Sequence, residues 1–168
     1  LRWVSHTAYR TRELAQAFPD KGFGRDERRY WEEDPAWQGF RELLEKALTV
    51  WDWGEAIVAL NLVVMPAVEE AVLRQLGASA RHNGDTLLGL LTDAQLIDAD
   101  RHRRWTAAFV AMAQETTGNQ ELMKSWIACW EPLADRAIDA YCGALPDAPG
   151  AAEFARAATR DLRRGLGL

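Results

Sequence analysis

The sequence predicts an all-α protein, a bundle of antiparallel helices forming one domain over residues 1–168. Three observations lead there. Apolar residues recur at spacings of three and four through most of the chain. Capping and breaking signals at Asp34-Pro35, Asn83-Gly84-Asp85 and Thr116-Thr117-Gly118-Asn119 cut that pattern into helix-sized pieces. The run with strand-like propensity, Ile57 to Val64, sits inside a longer helical pattern and has no partner strand in the sequence.

The elements follow in order. Trp3, Val4, Ala8, Leu14 and Ala15 give residues 1–17 an imperfect helical stripe, which Pro19, Gly22 and Gly24 break. Arg25 to Glu33 is charged and fits one short helix. Asp34-Pro35 starts the next, because Asp caps well and Pro is tolerated at the first helical position. Trp37, Phe40, Leu43, Leu44, Ala47 and Leu48 then form a single buried stripe. A helix beginning near Asp52 covers Gly54 to Leu76 and is apolar on nearly all sides until Glu69, as a central helix is. Pro66 is expected to kink it or divide it in two. The turn Asn83-Gly84-Asp85 leads into a helix from Thr86 to about Gln114. Residues 120–143 form another, with Pro132 expected to bend it. After the loop Pro146 to Gly150, residues 151–164 make an alanine-rich helix; the segment 146–168 reads as a peripheral tail, with its last residues free to fray.

Composition narrows the function. With 48% hydrophobic and 27% charged residues the chain is made for a packed core. A net charge of −5 argues against nucleic-acid or membrane-surface binding, which needs a basic face. The arginine clusters at 101, 103 and 104 and at 160, 163 and 164 read as solvated or dipole-compensating. No apolar run is long enough to predict a membrane span. Two cysteines without a CxxC suggest no disulfide framework, and a reduced, cytoplasmic protein is the simplest account. Eight tryptophans are unusual. Core packing is their ordinary use, and partner surfaces enrich the same residue.

Helical bundles that hold two irons use Glu from two helices and Glu-x-x-His from two more, the i, i+3 spacing placing both donors on one face. Three residues before His6, His82 and His102 stand Trp3, Ser79 and Ala99. No Glu-x-x-His occurs, so this chain cannot build such a site alone. Glu55 lies at the start of an apolar helix, where a carboxylate complements the dipole. His102 reads as a core histidine with a satisfied ring nitrogen, since one imidazole does not hold iron.

The stretch from Asn83-Gly84-Asp85 to Asp98-Ala99-Asp100-Arg101-His102 resembles the second metal-binding helix of the bacterial multicomponent monooxygenases, the methane/phenol/toluene hydroxylase family. In the large subunits of that family the corresponding run is Asp-Glu-x-Arg-His, whose Glu and His bind iron. Here Ala99 replaces the Glu. Trp51-Asp52-Trp53-Gly54-Glu55-Ala56, Asn61-Leu62-Val63-Val64-Met65-Pro66, Arg101-His102-Arg103-Arg104-Trp105 and Ala8-Tyr9-Arg10-Thr11-Arg12-Glu13-Leu14 are similar to the family's β subunit. The resemblance covers roughly Leu1 to Ala137.

It implies a ferritin-like helical bundle and the non-catalytic structural β subunit of a hydroxylase that oxidises hydrocarbons with O2. The chain would be the C-terminal half of such a subunit. The implied partner is an α subunit that carries the diiron centre, with a γ subunit in some assemblies; a reductase fed by NADH and a small regulatory protein act on the complex. No cofactor is expected in this chain. The degenerate ligand positions are Met65, Ala99 and His102. Trp51, Trp53, Trp126 and Trp130 are candidate partner contacts. Two other readings stay open: a ferritin-like metalloprotein that shares ligands between chains, and a helical module with an apolar pocket for a small ligand. The hydrocarbon itself is not legible.

Overall fold

The computed structural model describes residues 2–168. They form seven helices and a short 3-10 turn, Pro19–Lys21, and no strand is found among them. The helices are α1 (Arg2–Ala17), α2 (Glu27–Glu33), α3 (Pro35–Ala47), α4 (Trp53–His82), α5 (Thr86–Gln114), α6 (Asn119–Gly143) and α7 (Ala151–Gly165).

Helix α3 begins as its cap predicts: the Asp34 carboxylate accepts from the Ala36 N–H at 2.9 Å and Pro35 opens the first turn. It lies along α6 with the two backbones close together. A Cβ on Gly39 would come within 2.5 Å of the Ala137 Cα, so only glycine allows this approach. Trp37 and Phe40 pack edge-on against Tyr141, ring centroids 4.9 and 5.8 Å away.

Helix α4 is the core of the molecule. Asp52 caps it, accepting from the N–H groups of Gly54 and Glu55 at 2.8 and 3.0 Å. Val58, Ala59, Leu62, Val63, Val64, Ala67 and Ala71 are all buried. By length and composition the helix is apolar enough to cross a membrane, and in this fold it packs against α3, α5, α6 and α7. Pro66 does not divide it. The helix runs on as 30 residues, and the turns on either side of Met65–Ala67 widen into π-helix at Ala59–Val64 and Val68–Gln75. Shifting each carbonyl to a donor one residue further on accommodates a ring that has no N–H to give.

Gly84, at φ +82°, turns the chain back, and Asp85 caps α5 by accepting from the Leu88 N–H at 3.0 Å. Helix α5 then runs antiparallel to α4. Near the turn the two are tightly apposed, for a Cβ on Gly77 would collide with the Thr92 hydroxyl at 2.3 Å. Helix α6 continues through Pro132 as one helix.

The tail helix is integral to the core, contrary to its sequence reading as peripheral. Ala151 and Ala155 belong to the main hydrophobic cluster, Thr159 and Arg163 are buried, and Leu166 and Leu168 pack against it. The small alanine face lets α7 approach closely. Arg156, Arg160 and Arg163 then pair with Asp139, Asp135 and Glu131 of α6, and Arg163 also donates to the Leu62 carbonyl of α4 at 3.2 Å. Helix α1 is the opposite case. None of its residues is buried, and it is tied to α5 by Arg2 and Trp3, both donating to Asp98 at 2.7 and 2.8 Å, and by Arg10 with Asp85.

Candidate functional site

The interior between α4 and α5 holds an ionic cluster. Glu69 and Glu70 sit on the second π-helical stretch of α4 with exposures of 1% and 3%. Two buried carboxylates side by side require a cation. Arg103 of α5 supplies it: its Nε donates to Glu69 Oε2 at 2.6 Å and its Nη2 to Glu70 Oε1 at 2.8 Å. Arg74, one turn along α4, donates to Glu70 Oε2 at 2.7 Å. Burial works to lower the Arg103 pKa, but the hydrogen bonds and charges of Glu70 and Glu69 outweigh it and hold the group above its ordinary value. The guanidinium is thus a fixed charge that locks α5 onto α4. The sequence reading of Arg103 as solvated or dipole-compensating is corrected here, and so is that of Arg163, which is buried and paired with Glu131. Two acids embedded in an otherwise apolar helix were the available signal.

The degenerate ligand positions do not combine into a site. Met65 stands 37% exposed on α4 and Ala99 is buried on α5. His102, half-buried one turn beyond Ala99, stacks on Trp105 at 6.0 Å between ring centroids. Its Nε2 is buried with no hydrogen-bond partner among the described residues, so the expectation of a satisfied ring nitrogen fails there. Glu69 Oε1 and Thr106 Oγ1 are buried and unpartnered in the same way. A diiron centre does not fit these residues. Ala99 offers no donor atom, Met65 offers only a soft thioether, and a single imidazole remains. Among the described residues no three His, Cys, Asp or Glu side chains are grouped to hold a metal ion.

Glu55 is structural. It accepts from the Trp130 indole N–H at 2.9 Å, joining the start of α4 to the middle of α6. That bond settles Trp130, which is 6% exposed and part of the core, so it is withdrawn from the candidate partner contacts. The remaining three differ among themselves. Trp51 is 100% exposed and Trp53 is mostly exposed. Trp126 is partly buried, its ring edge 3.2 Å from where a Gly54 Cβ would stand. Trp53 and Trp126 line one cleft with Phe109 and Leu122, about 250 Å³ in volume. A larger cleft, about 750 Å³, is lined by aromatic residues of the 3-10 turn region, α2 and α3, including Phe18, Phe23, Tyr30 and Trp37. Sequence reasoning did not single out Trp105, which is exposed on α5.

Comparison with known proteins matches this geometry to one group. The chain is 54% identical over 145 residues to the hydroxylase component subunit beta of the toluene-4-monooxygenase system of Ectopseudomonas mendocina, covering 86% of this chain and 44% of that protein. It is 30% identical over 110 residues to the phenol 2-monooxygenase oxygenase component DmpL of Pseudomonas sp. (strain CF600), covering 65% and 33%. To the propane 2-monooxygenase hydroxylase component small subunit of Gordonia sp. (strain TY-5) it is 27% identical, covering 80% and 38%. The chain therefore spans less than half the length of these relatives. A solved structure of toluene 4-monooxygenase (T4moH), with toluene bound in its resting active site, superposes with a TM-score of 0.83 at 53% identity. It covers 86% of this chain and 48% of that one, and the fold is the expected helical, ferritin-like one. Residues 1–117 match the family model for methane, phenol and alkene hydroxylases, and the chain belongs to that family.

Proposed function

We propose that this chain is the non-catalytic β-type subunit of the hydroxylase component of a soluble multicomponent monooxygenase, an oxidoreductase complex that oxidises a hydrocarbon with O2. The observation that carries the reading is the 54% identity to a β subunit; Ala99 and Met65, at the positions the sequence resemblance assigns to iron-binding carboxylates, support it. The chain acts as a buttress. A catalytic bundle must keep its iron ligands within tight tolerances, and a rigid neighbouring bundle supports them. The ionic lock at Arg103, the Glu55–Trp130 bond and the packed α7 make this bundle rigid.

In this reading the diiron centre lies in the large α subunit, a γ subunit completes some assemblies, and a reductase and a regulatory protein act on the complex in the cytoplasm. Trp51, Trp53 and the cleft beside Trp126 are offered to the α subunit. In the same reading residues 1–168 are one helical domain and the C-terminal half of such a subunit.

The test is to purify the chain alone and after co-expression with the large hydroxylase subunit, and to measure iron in each. Iron is expected only in the co-purified complex. Stoichiometric iron on the chain alone, with the absorption of a bridged diiron centre, would falsify the reading, and failure to co-purify would remove the buttress.

A further inference from the structure

Pro66 leaves helix α4 one backbone donor short. In an α-helix the N–H at that position would serve the Leu62 carbonyl, four residues back, and the proline ring has none to give. The wide turns around Met65–Ala67 re-register the ladder, with the Met65 N–H donating to the Leu60 carbonyl. Re-registering moves the deficit along the helix and does not remove it, because the carbonyls still outnumber the N–H groups. Pro66 and Leu62 are both buried, and a carbonyl left without a donor there is costly.

Helix α7 supplies the donor. Arg163 Nη1 donates to the Leu62 carbonyl at 3.2 Å, while its Nη2 pairs with Glu131. Burial outweighs the charge of Glu131 and holds this guanidinium below its ordinary pKa. Glu131 does not depend on it, for Arg160 Nε donates to the same carboxylate oxygen at 3.1 Å. An apolar side chain would fill the position without burying a charge, but it could not donate to a carbonyl. The rest of the tail lies along the same stretch of α4. At the far end Ser79 Oγ donates to the Pro146 carbonyl at 2.9 Å. Between the two ties the buried face of α7, Ala151, Ala155, Thr159 and Arg163, repeats every four residues, and the helix packs against Met65–Ala67 and Val68–Gln75. Segment 146–163 thus runs antiparallel to α4, pinned at Ser79 and at Leu62, with Pro66 and the second π-helical stretch between the pins. We infer that α7 is a splint for α4: Arg163 completes the ladder that Pro66 interrupts, and α4 opens as a hinge at Pro66 when α7 is released. The order of the central helix is in this way tied to the docking of the last one.

Hydrogen–deuterium exchange of the whole chain, read by mass spectrometry, tests this. Arg163→Met keeps the reach and apolar bulk of the side chain and removes its donors. Peptides covering 58–76 should then exchange about tenfold faster or more, while those of α3 keep their rate. Pro66→Ala returns the missing N–H, and in that background Arg163→Met should change the exchange of 58–76 by less than about twofold. Glu131→Gln weakens the ion pair alone and should leave 58–76 as in the parent chain. If Arg163→Met does not fold, its combination with Pro66→Ala should. Unchanged exchange in 58–76, an equal effect with and without Pro66, an equal effect from Glu131→Gln, or a double variant that also fails to fold each overturns the inference.

Discussion

Helices α4 and α5 are nearly equal in length, 30 and 29 residues, lie side by side, and solve opposite problems. In α4 the large aliphatic residues, Val58, Leu62, Val63 and Val64, are inside. In α5 the buried residues are Gly89, Thr92, Ala99, Thr106 and a single larger aliphatic, Val110, while Leu87, Leu90, Ile97, Trp105 and Met112 are exposed. Small residues on α5 let it approach α4 closely but bury little apolar surface, and the attraction they do not supply comes from Arg103 on Glu69 and Glu70. One helix is therefore held by dispersion and solvent exclusion and the other largely by charge. The difference teaches that a helix can be held in the middle of a fold while several of its large hydrophobic residues stay exposed.

The largest expected effect breaks the charge side of this comparison. Arg103→Ala leaves two buried carboxylates without their cation and should cost about 3–5 kcal/mol in urea unfolding. The triple variant Arg103→Met, Glu69→Gln, Glu70→Gln should recover much of the loss, since buried ion clusters are often replaceable by neutral packing. A triple variant as unstable as Arg103→Ala would mean that the cluster contributes shape rather than charge balance.

The packing side is tested by one substitution made twice. Leu62→Ala in α4 should cost about 2–5 kcal/mol, the loss of a buried leucine plus its cavity. Leu90→Ala in α5 should stay within about 0.5 kcal/mol, as exposed positions do. Equal costs at the two sites would refute the inverted orientation of α5. Smaller than the Leu62 effect is Trp130→Phe, which keeps most of the buried ring and removes the hydrogen bond to Glu55. About 1–3 kcal/mol is expected, the range for leaving one buried polar partner unsatisfied.

Most of the fold could be read from the sequence because its punctuation is local. Asp34-Pro35, Asp52 and Asn83-Gly84-Asp85 each fix a helix end by chemistry within three residues, and the structure starts helices at or beside all three. What escaped the sequence was non-local. Nothing near Pro66 announces that π turns will carry the helix past it. The alanines of 151–164 do not say which helix they lie on. The ligand positions could be read as positions, because Ala99 and the missing Glu-x-x-His are facts of sequence. Where each tryptophan would lie could not. Trp126 and Trp130 are one turn apart on α6, yet one ring is partly buried and the other is in the core, bonded to Glu55 on α4, a difference set by tertiary packing.

The smallest effect extends the comparison of faces to α6, where it can be read without unfolding anything. Cys129 is exposed and Cys142 is buried on the same helix. Burial pushes the Cys142 thiol up to about 11, against about 8.5 for a free cysteine. The thiolate is the reactive form, so at pH 8 a thiol reagent should modify Cys129 promptly and Cys142 only after denaturant is added. The same shift has a sign for stability. The folded state keeps the proton that the unfolded chain releases, so the contribution is intact below the unfolded thiol's pKa. It is lost as pH rises from about 8.5 toward the folded value. Cys142→Ala should flatten that alkaline decline. Rapid modification of both thiols in the native protein would place Cys142 outside the core and with it the packing of Tyr141 against α3.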